Sequence, residues 1–107
     1  MIFAKHKYGA IQCERDGKKF PSKLERRYYD RLKLLQHSGE VLFFIRQVPF
    51  DLPGNTKYVA DYMTFLSSGD VEIVDVKGKM TPMSNLKIKQ VESLYPVKIK
   101  IVTDKDF

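Results

Sequence analysis

The stretch Val71-Glu72-Ile73-Val74-Asp75-Val76-Lys77-Gly78 decides the fold. It reads as a strand, and the period-two rule puts Asp75 and Lys77 on one face with Ile73 and Val71 behind them. A carboxylate and an amine therefore project side by side at the end of an otherwise buried strand. Gly78 frees the backbone there, so the pair should open onto the edge of the core, where pockets form. One strand earlier, in Tyr58-Val59-Ala60-Asp61-Tyr62-Met63, Asp61 interrupts an apolar run. A lone buried aspartate is costly unless it is paired or bound to a metal.

Working back from this stretch, Val41 to Gln47 runs on to Leu52, Pro53-Gly54-Asn55 turns the chain, Tyr58 to Leu66 returns it, and Ser67-Ser68-Gly69-Asp70 turns it again into Val71 to Lys77. That pattern is a three-stranded meander. Ahead of it the spacing predicts a helix over Ser22 to His37. Ser22-x-x-Glu25 fits a capping box, Leu24, Tyr28, Leu32 and Leu35 recur at helical spacing, and Gly39 sits where the stop belongs. Gly9 to Glu14 and Lys18 to Phe20 flank Arg15-Asp16-Gly17, which predicts a short N-terminal β-hairpin. Beyond Gly78, Thr81 with Pro82 caps a second helix running to about Leu94, and Tyr95-Pro96 stops it. In the final strand Val97, Ile99 and Ile101 alternate with Lys98 and Lys100. The predicted order is β-hairpin, α, β, β, β, α, β: an α/β fold with a mixed sheet and one helix on each side.

The chain has 107 residues, 43% of them hydrophobic, with seven Phe and six Tyr. This suits one folded domain over residues 1–107 and excludes a disordered tail. Cys13 has no partner for an intramolecular disulfide and no histidine placed to activate it; it reads as a small buried or edge side chain. With no secretory apolar region near Met1, the expected location is the cytoplasm. No run approaches the roughly 18 apolar residues of a membrane span, so a soluble protein is expected. Lys and Arg number 19 against 13 Asp and Glu, for a net charge of +6. Between Lys77 and Lys100 stand six lysines (Lys77, Lys79, Lys87, Lys89, Lys98, Lys100) and one acid, Glu92. Such a patch favours a polyanion, because each cation set against a phosphate releases a condensed counterion, although a merely solvated basic face is the competing reading.

Each candidate also has a plain structural reading. Asp75 and Lys77 read as a same-face ion pair, Asp61 as the partner of any cation, and Glu25 as the second half of the capping box. Jointly those readings need Asp61, Asp75 and Lys77 to meet on adjacent strands by coincidence.

The order of Glu25 on the first helix, Asp61 on a strand, Asp75-x-Lys77 on the next, then a lysine-bearing helix and a strand resembles the PD-(D/E)XK nuclease core. More narrowly, Lys7-Tyr8-Gly9-Ala10, Asp16-Gly17-x-x-Phe20-x-Ser22-Lys23-Leu24-Glu25, Gln47-Val48-Pro49-Phe50, Tyr58-x-x-Asp61 and Asp75-Val76-Lys77-Gly78 are similar to a small phage and prophage family of such nucleases. Ala60 stands where the superfamily name has Pro, and Asp75 where Glu is commoner.

The resemblance implies a restriction-endonuclease-like fold and a Mg²⁺- or Mn²⁺-dependent endodeoxyribonuclease, at work in the host cytoplasm if phage-encoded. Asp61 and Asp75 would be metal ligands together with a backbone carbonyl near Val76, and Glu25 would hold a second ion or tune the first. Lys77 would orient the nucleophile or stabilise charge on the phosphate. Lys79, Lys87 and Lys89 would grip DNA. Gln47 matches a family position near the site, and an edge-strand polar residue is the equal alternative. His6 and His37 have no metal spacing and are expected on the surface. Related small phage enzymes resolve branched recombination intermediates, so a Holliday-junction or branched-DNA endonuclease is the first functional expectation. A sequence-specific or nicking nuclease is the alternative within the enzyme class, and an inactive nucleic-acid-binding module or a structural interaction protein outside it. Paired incision implies a homodimer, with Tyr29, Phe43 and Phe44 as surplus apolar residues for its interface and the N-terminal hairpin as an element that could exchange between subunits.

Overall fold

A computed structural model describes residues 13–107. The Lys7-Tyr8-Gly9-Ala10 motif, His6 and the start of the predicted hairpin strand lie outside the described residues. The elements are β1 (Cys13–Arg15), β2 (Lys18–Phe20), α1 (Lys23–Ser38), β3 (Val41–Leu52), β4 (Thr56–Leu66), β5 (Val71–Val76), α2 (Pro82–Leu94) and β6 (Ile99–Val102), closed by a 3-10 turn at Asp104–Asp106. β1 and β2 pair as a separate antiparallel hairpin. The main sheet has the order β3-β4-β5-β6, antiparallel through β5 and parallel between β5 and β6. The expected α/β architecture is therefore present: a mixed sheet, two helices and an N-terminal hairpin.

Local chemistry accounts for the boundaries. Asp16 and Gly17 both take positive φ (54° and 74°), the backbone a two-residue hairpin turn requires. The Ser22 hydroxyl accepts the Glu25 N–H at 3.1 Å to begin α1, and Gly39 in the left-handed region ends it. Thr81 caps α2 in the same way, with Pro82 in the first turn. The last strand starts at Ile99 and not at Val97, because the Val97 N–H is turned back onto the Tyr95 carbonyl at 2.8 Å.

Two cores lie on opposite faces of the sheet. On one, Tyr28, Tyr29 and Leu32 of α1 pack with Phe20, Val41, Tyr62, Val74, Val76 and Val102. On the other, Ile88 and Val91 of α2 pack with Phe50, Leu52, Tyr58, Ala60, Ile73 and Ile99. Adjacent residues of β5, Ile73 and Val74, divide between the two, as strand alternation demands. The predicted placement of one helix on each side is thus observed.

β4 does not alternate simply. Tyr58 and Ala60 face the α2 core, yet Tyr62 and Leu66 face the α1 core, although all four are even-numbered. β3 changes sides in the same way, Phe44 packing toward α1 and Val48, Phe50 and Leu52 toward α2. The change falls between the Arg46↔Tyr62 and Val48↔Ala60 pairs, where Gln47 has φ 57°, a left-handed conformation uncommon for a residue with a Cβ. The long β3–β4 ribbon is kinked there, and Asp61 sits at the kink.

Two of the three residues expected to be surplus to the core belong to it. Tyr29 is buried with its ring 5.0 Å from that of Phe20, and Phe44 packs edge-on against both Tyr29 and Tyr62, because the β1–β2 hairpin covers this flank of α1. Only Phe43 stands out, 48% exposed and stacked on Phe65.

Candidate active site

The β4–β5 ladder runs from Phe65↔Val71 to Tyr62↔Val74 and stops. Beyond it, side chains take over from backbone. The Asp61 N–H donates to Asp75 Oδ1 at 3.2 Å, and the Val76 N–H donates to Asp61 Oδ2 at 2.8 Å. Each carboxylate thus satisfies a donor that the parting strands would otherwise leave orphaned. An aspartate's carboxylate lies within about 5 Å of its own backbone nitrogen, so the Asp61 and Asp75 carboxylates are within about 8 Å of each other.

Lys77 Nζ lies 3.4 Å from Asp75 Oδ2. Asp75 is 1% exposed, so the acidic half of the pair is buried, unlike the weak surface pair that strand spacing alone allows. Among the described residues Oδ2 is nevertheless without a hydrogen-bond partner, since the ammonium is close enough to attract it but not aligned to donate. Asp75 lies deeper than the pocket edge expected for it; Lys77, partly exposed, is the member that reaches the rim.

Glu25 enters from the first turn of α1 and is almost fully buried. Ser22 makes its half of the cap, but the Glu25 carboxylate does not complete the box: it turns inward, 3.4 Å from Arg46 Nη2, and hydrogen-bonds Asp61. Tyr62 donates its hydroxyl proton to the Glu25 carbonyl at 3.0 Å, tying the start of α1 to β4. Arg46 also donates to the Lys19 carbonyl at 3.1 Å and lies over the Phe20 ring, 4.0 Å from its centre. The hairpin, α1 and β3 are thereby joined at one guanidinium.

Burial dominates the electrostatics. It pushes Glu25 up from an ordinary 4.5 to about 8, helped by the charge of Asp61 and by the hydrogen bond they share, and opposed by Arg46. Asp61 is raised by burial against the Val76 N–H, Glu25, Lys77 and Arg46, all of which favour its charged form. Asp75 is raised by burial against Lys77 and the Asp61 N–H. Burial therefore favours the protonated form of Glu25, which leaves Asp61 and Asp75 facing Lys77 and Arg46. Among the described residues no three His, Cys, Asp or Glu side chains close around a common centre; Asp61 neighbours Glu25 through its side chain and Asp75 through its backbone N–H.

The fold therefore brings Glu25, Asp61, Asp75 and Lys77 together. Gln47 is exposed and lies across the ribbon from Asp61, at the kink. Lys79 is exposed just beyond β5, and Lys87 and Lys89 lie on α2, half-buried and exposed respectively; among the described residues none of the three pairs with the carboxylates. His37 is exposed, as expected. Arg46 is the member that sequence reading missed. Its signal is the one that picked out Asp61: an ionisable residue inside an apolar strand, here Phe43-Phe44-Ile45-Arg46-Gln47-Val48.

Residues 5–105 match the family described as a protein of unknown function (DUF1064), and the chain belongs to that family. No curated protein matches it.

Proposed function

We propose that this member of the DUF1064 family is a divalent-metal-dependent DNA endonuclease with a PD-(D/E)XK core, using Glu25, Asp61, Asp75 and Lys77. One observation carries the reading: Asp61 and Asp75 replace the backbone ladder where β4 and β5 part, and Asp75 keeps a buried carboxylate oxygen with no hydrogen bond beside Lys77. A sheet under selection for stability alone would place apolar or fully bonded groups there, because a half-satisfied buried charge is destabilising.

The donor set fits a hard cation. Asp75 Oδ2 has no hydrogen bond among the described residues, and Asp61 and Glu25 offer further oxygens once Glu25 is ionised. Asp61 and Asp75, with Glu25 beside them, would hold Mg²⁺ or Mn²⁺, which when bound polarises a phosphoryl oxygen and lowers the pKa of water. The remaining roles belong to the chain. Lys77, fixed beside Asp75, orients the attacking water and offsets negative charge gathering on the phosphate. Arg46 holds Glu25 in place and favours its ionised form, so that Glu25 can release its proton and act as a ligand.

The net charge of +6 suits a phosphodiester substrate. The resemblance to phage resolvase-type enzymes makes branched DNA the expected substrate and a homodimer the expected working unit. The exposed Leu42, Phe43 and Ile45 on edge strand β3 supply an apolar surface for it. A gel assay with linear, nicked, flapped and four-way DNA, each with Mg²⁺ or EDTA, tests the activity. Cleavage that needs Mg²⁺ and favours the branched substrates is expected; no cleavage of any substrate with Mg²⁺ or Mn²⁺ overturns the reading. Light scattering with and without four-way DNA tests the dimer, and a monomer that makes paired incisions rules it out.

A further inference from the structure

Between the β1–β2 hairpin and α1 runs a groove of about 410 Å³ whose floor is β3. Lys18 stands on the hairpin wall, Lys33 on the helix wall, and Arg46 of β3 connects the lining to the acidic residues through its contact with Glu25. Phe44 and Tyr29 supply the apolar floor. Among the described residues that line it three are cations and none is an acid. Among the described residues neither Lys18 nor Lys33 has a carboxylate partner. None of this was singled out by the lysine-rich stretch from Lys77 to Lys100, which lies in other elements.

We infer that this groove holds an unpaired DNA strand continuous with the phosphate cut at the site, its phosphates on Lys18 and Lys33 and its sugars and base edges against Phe44. The inference rests on the nuclease reading and deepens it. Charge complementarity and continuity argue for this occupant: the hairpin and the helix each contribute a lysine to the groove, and its lining includes the arginine that holds Glu25. An apolar floor between two cationic walls suits a single strand, which can lay bases on it, better than a duplex, which turns its bases inward and presents two phosphate rows. A free phosphate would leave the apolar floor unused.

The test is fluorescence anisotropy with a labelled single-stranded oligonucleotide and a blunt duplex of equal length, in EDTA, across a salt series. The full chain is compared with Lys18→Ala/Lys33→Ala and with Lys87→Ala/Lys89→Ala. Both groove lysines are exposed, so the variant should melt with the wild type. Each phosphate contact on a single strand contributes about 0.7 to the slope of log affinity against log salt, so losing two should flatten it by about 1.4. The blunt duplex should change less. An unchanged slope in Lys18→Ala/Lys33→Ala while the wild type binds the single strand overturns the groove and leaves the nuclease reading standing. Equal losses for single strand and duplex, or full competition by a polyglutamate peptide, also overturn it. Failure of the wild type to cut any DNA with Mg²⁺ overturns the nuclease reading instead.

Discussion

The seam between β4 and β5 has two ends built on different terms. From Phe65↔Val71 to Tyr62↔Val74 the strands bond backbone to backbone, and Tyr62 and Val74 are wholly buried among apolar neighbours. One residue further, the bonds pass to the carboxylates of Asp61 and Asp75, both with raised pKa values, and an oxygen is left unbonded. The first end holds the sheet together; the second concentrates charge at a cost in stability. Substitutions should therefore divide cleanly, those at one end acting on folding and those at the other on chemistry.

The largest expected effect is on cleavage. Asp75→Asn and Lys77→Ala should each lower the rate by on the order of 10²–10³ or more while leaving DNA affinity nearly intact, because the proposed roles, metal ligand and charge-stabilising group, act on the reaction and not on docking. Single-turnover cleavage with parallel binding measurements checks this, and undiminished cutting by either variant would refute the role given to that residue. Next comes pH. Glu25 has its folded pKa raised from 4.5 to about 8, and Asp61 and Asp75 shift in the same direction. For acids shifted upward the native state binds more protons than the unfolded chain across that window. Stability without metal should be fullest below about pH 4.5 as far as these groups decide it, and fall as pH rises toward 8. Denaturant melts from pH 5 to 8.5 in EDTA would show the fall, and Glu25→Gln should flatten it; a rise over that range in the wild type would contradict the electrostatics described.

At the closed end, Val74→Ala should cost about 2 kcal/mol of stability by opening a cavity, with activity per folded molecule unchanged. Urea titration beside a cleavage assay reads both. The smallest effect separates two roles within one helical turn. Ser22→Ala should cost about 1 kcal/mol through the lost cap and spare cleavage, whereas Glu25→Gln should leave the cap intact and impair cleavage. A cleavage defect in Ser22→Ala matching that of Glu25→Gln would show that the two are not separable.

Sequence pattern revealed what depends on local spacing. Ser22 and Gly39 bracket α1, Thr81 and Pro82 open α2, and alternation in Val71 to Lys77 put Asp75 and Lys77 on one face. What it could not show depends on contacts between segments. Arg46 meets Glu25 across 21 residues, and no periodicity carries that pairing. Tyr29 and Phe44 looked surplus because the hairpin that covers them packs through tertiary contact, with Phe20 as its anchor. The kink was hidden because period-two reading assumes a straight strand, and Gln47 belongs to no residue type that advertises positive φ.

That kink has a consequence for how the molecule comes apart. A single ribbon lines the α1 core on one side of Gln47 and the α2 core on the other, so neither core can open without pulling the register of the strands that line its neighbour. Unfolding should then be one cooperative event, with ring signals from Tyr28 and Tyr29 in one core and from Tyr58 in the other melting at the same midpoint. In hydrogen exchange, the Arg46 and Val48 amides, on either side of the bend, should share one slow opening. The Asp61 and Val76 amides, held by carboxylates and not by the ladder, should exchange faster than the strands around them.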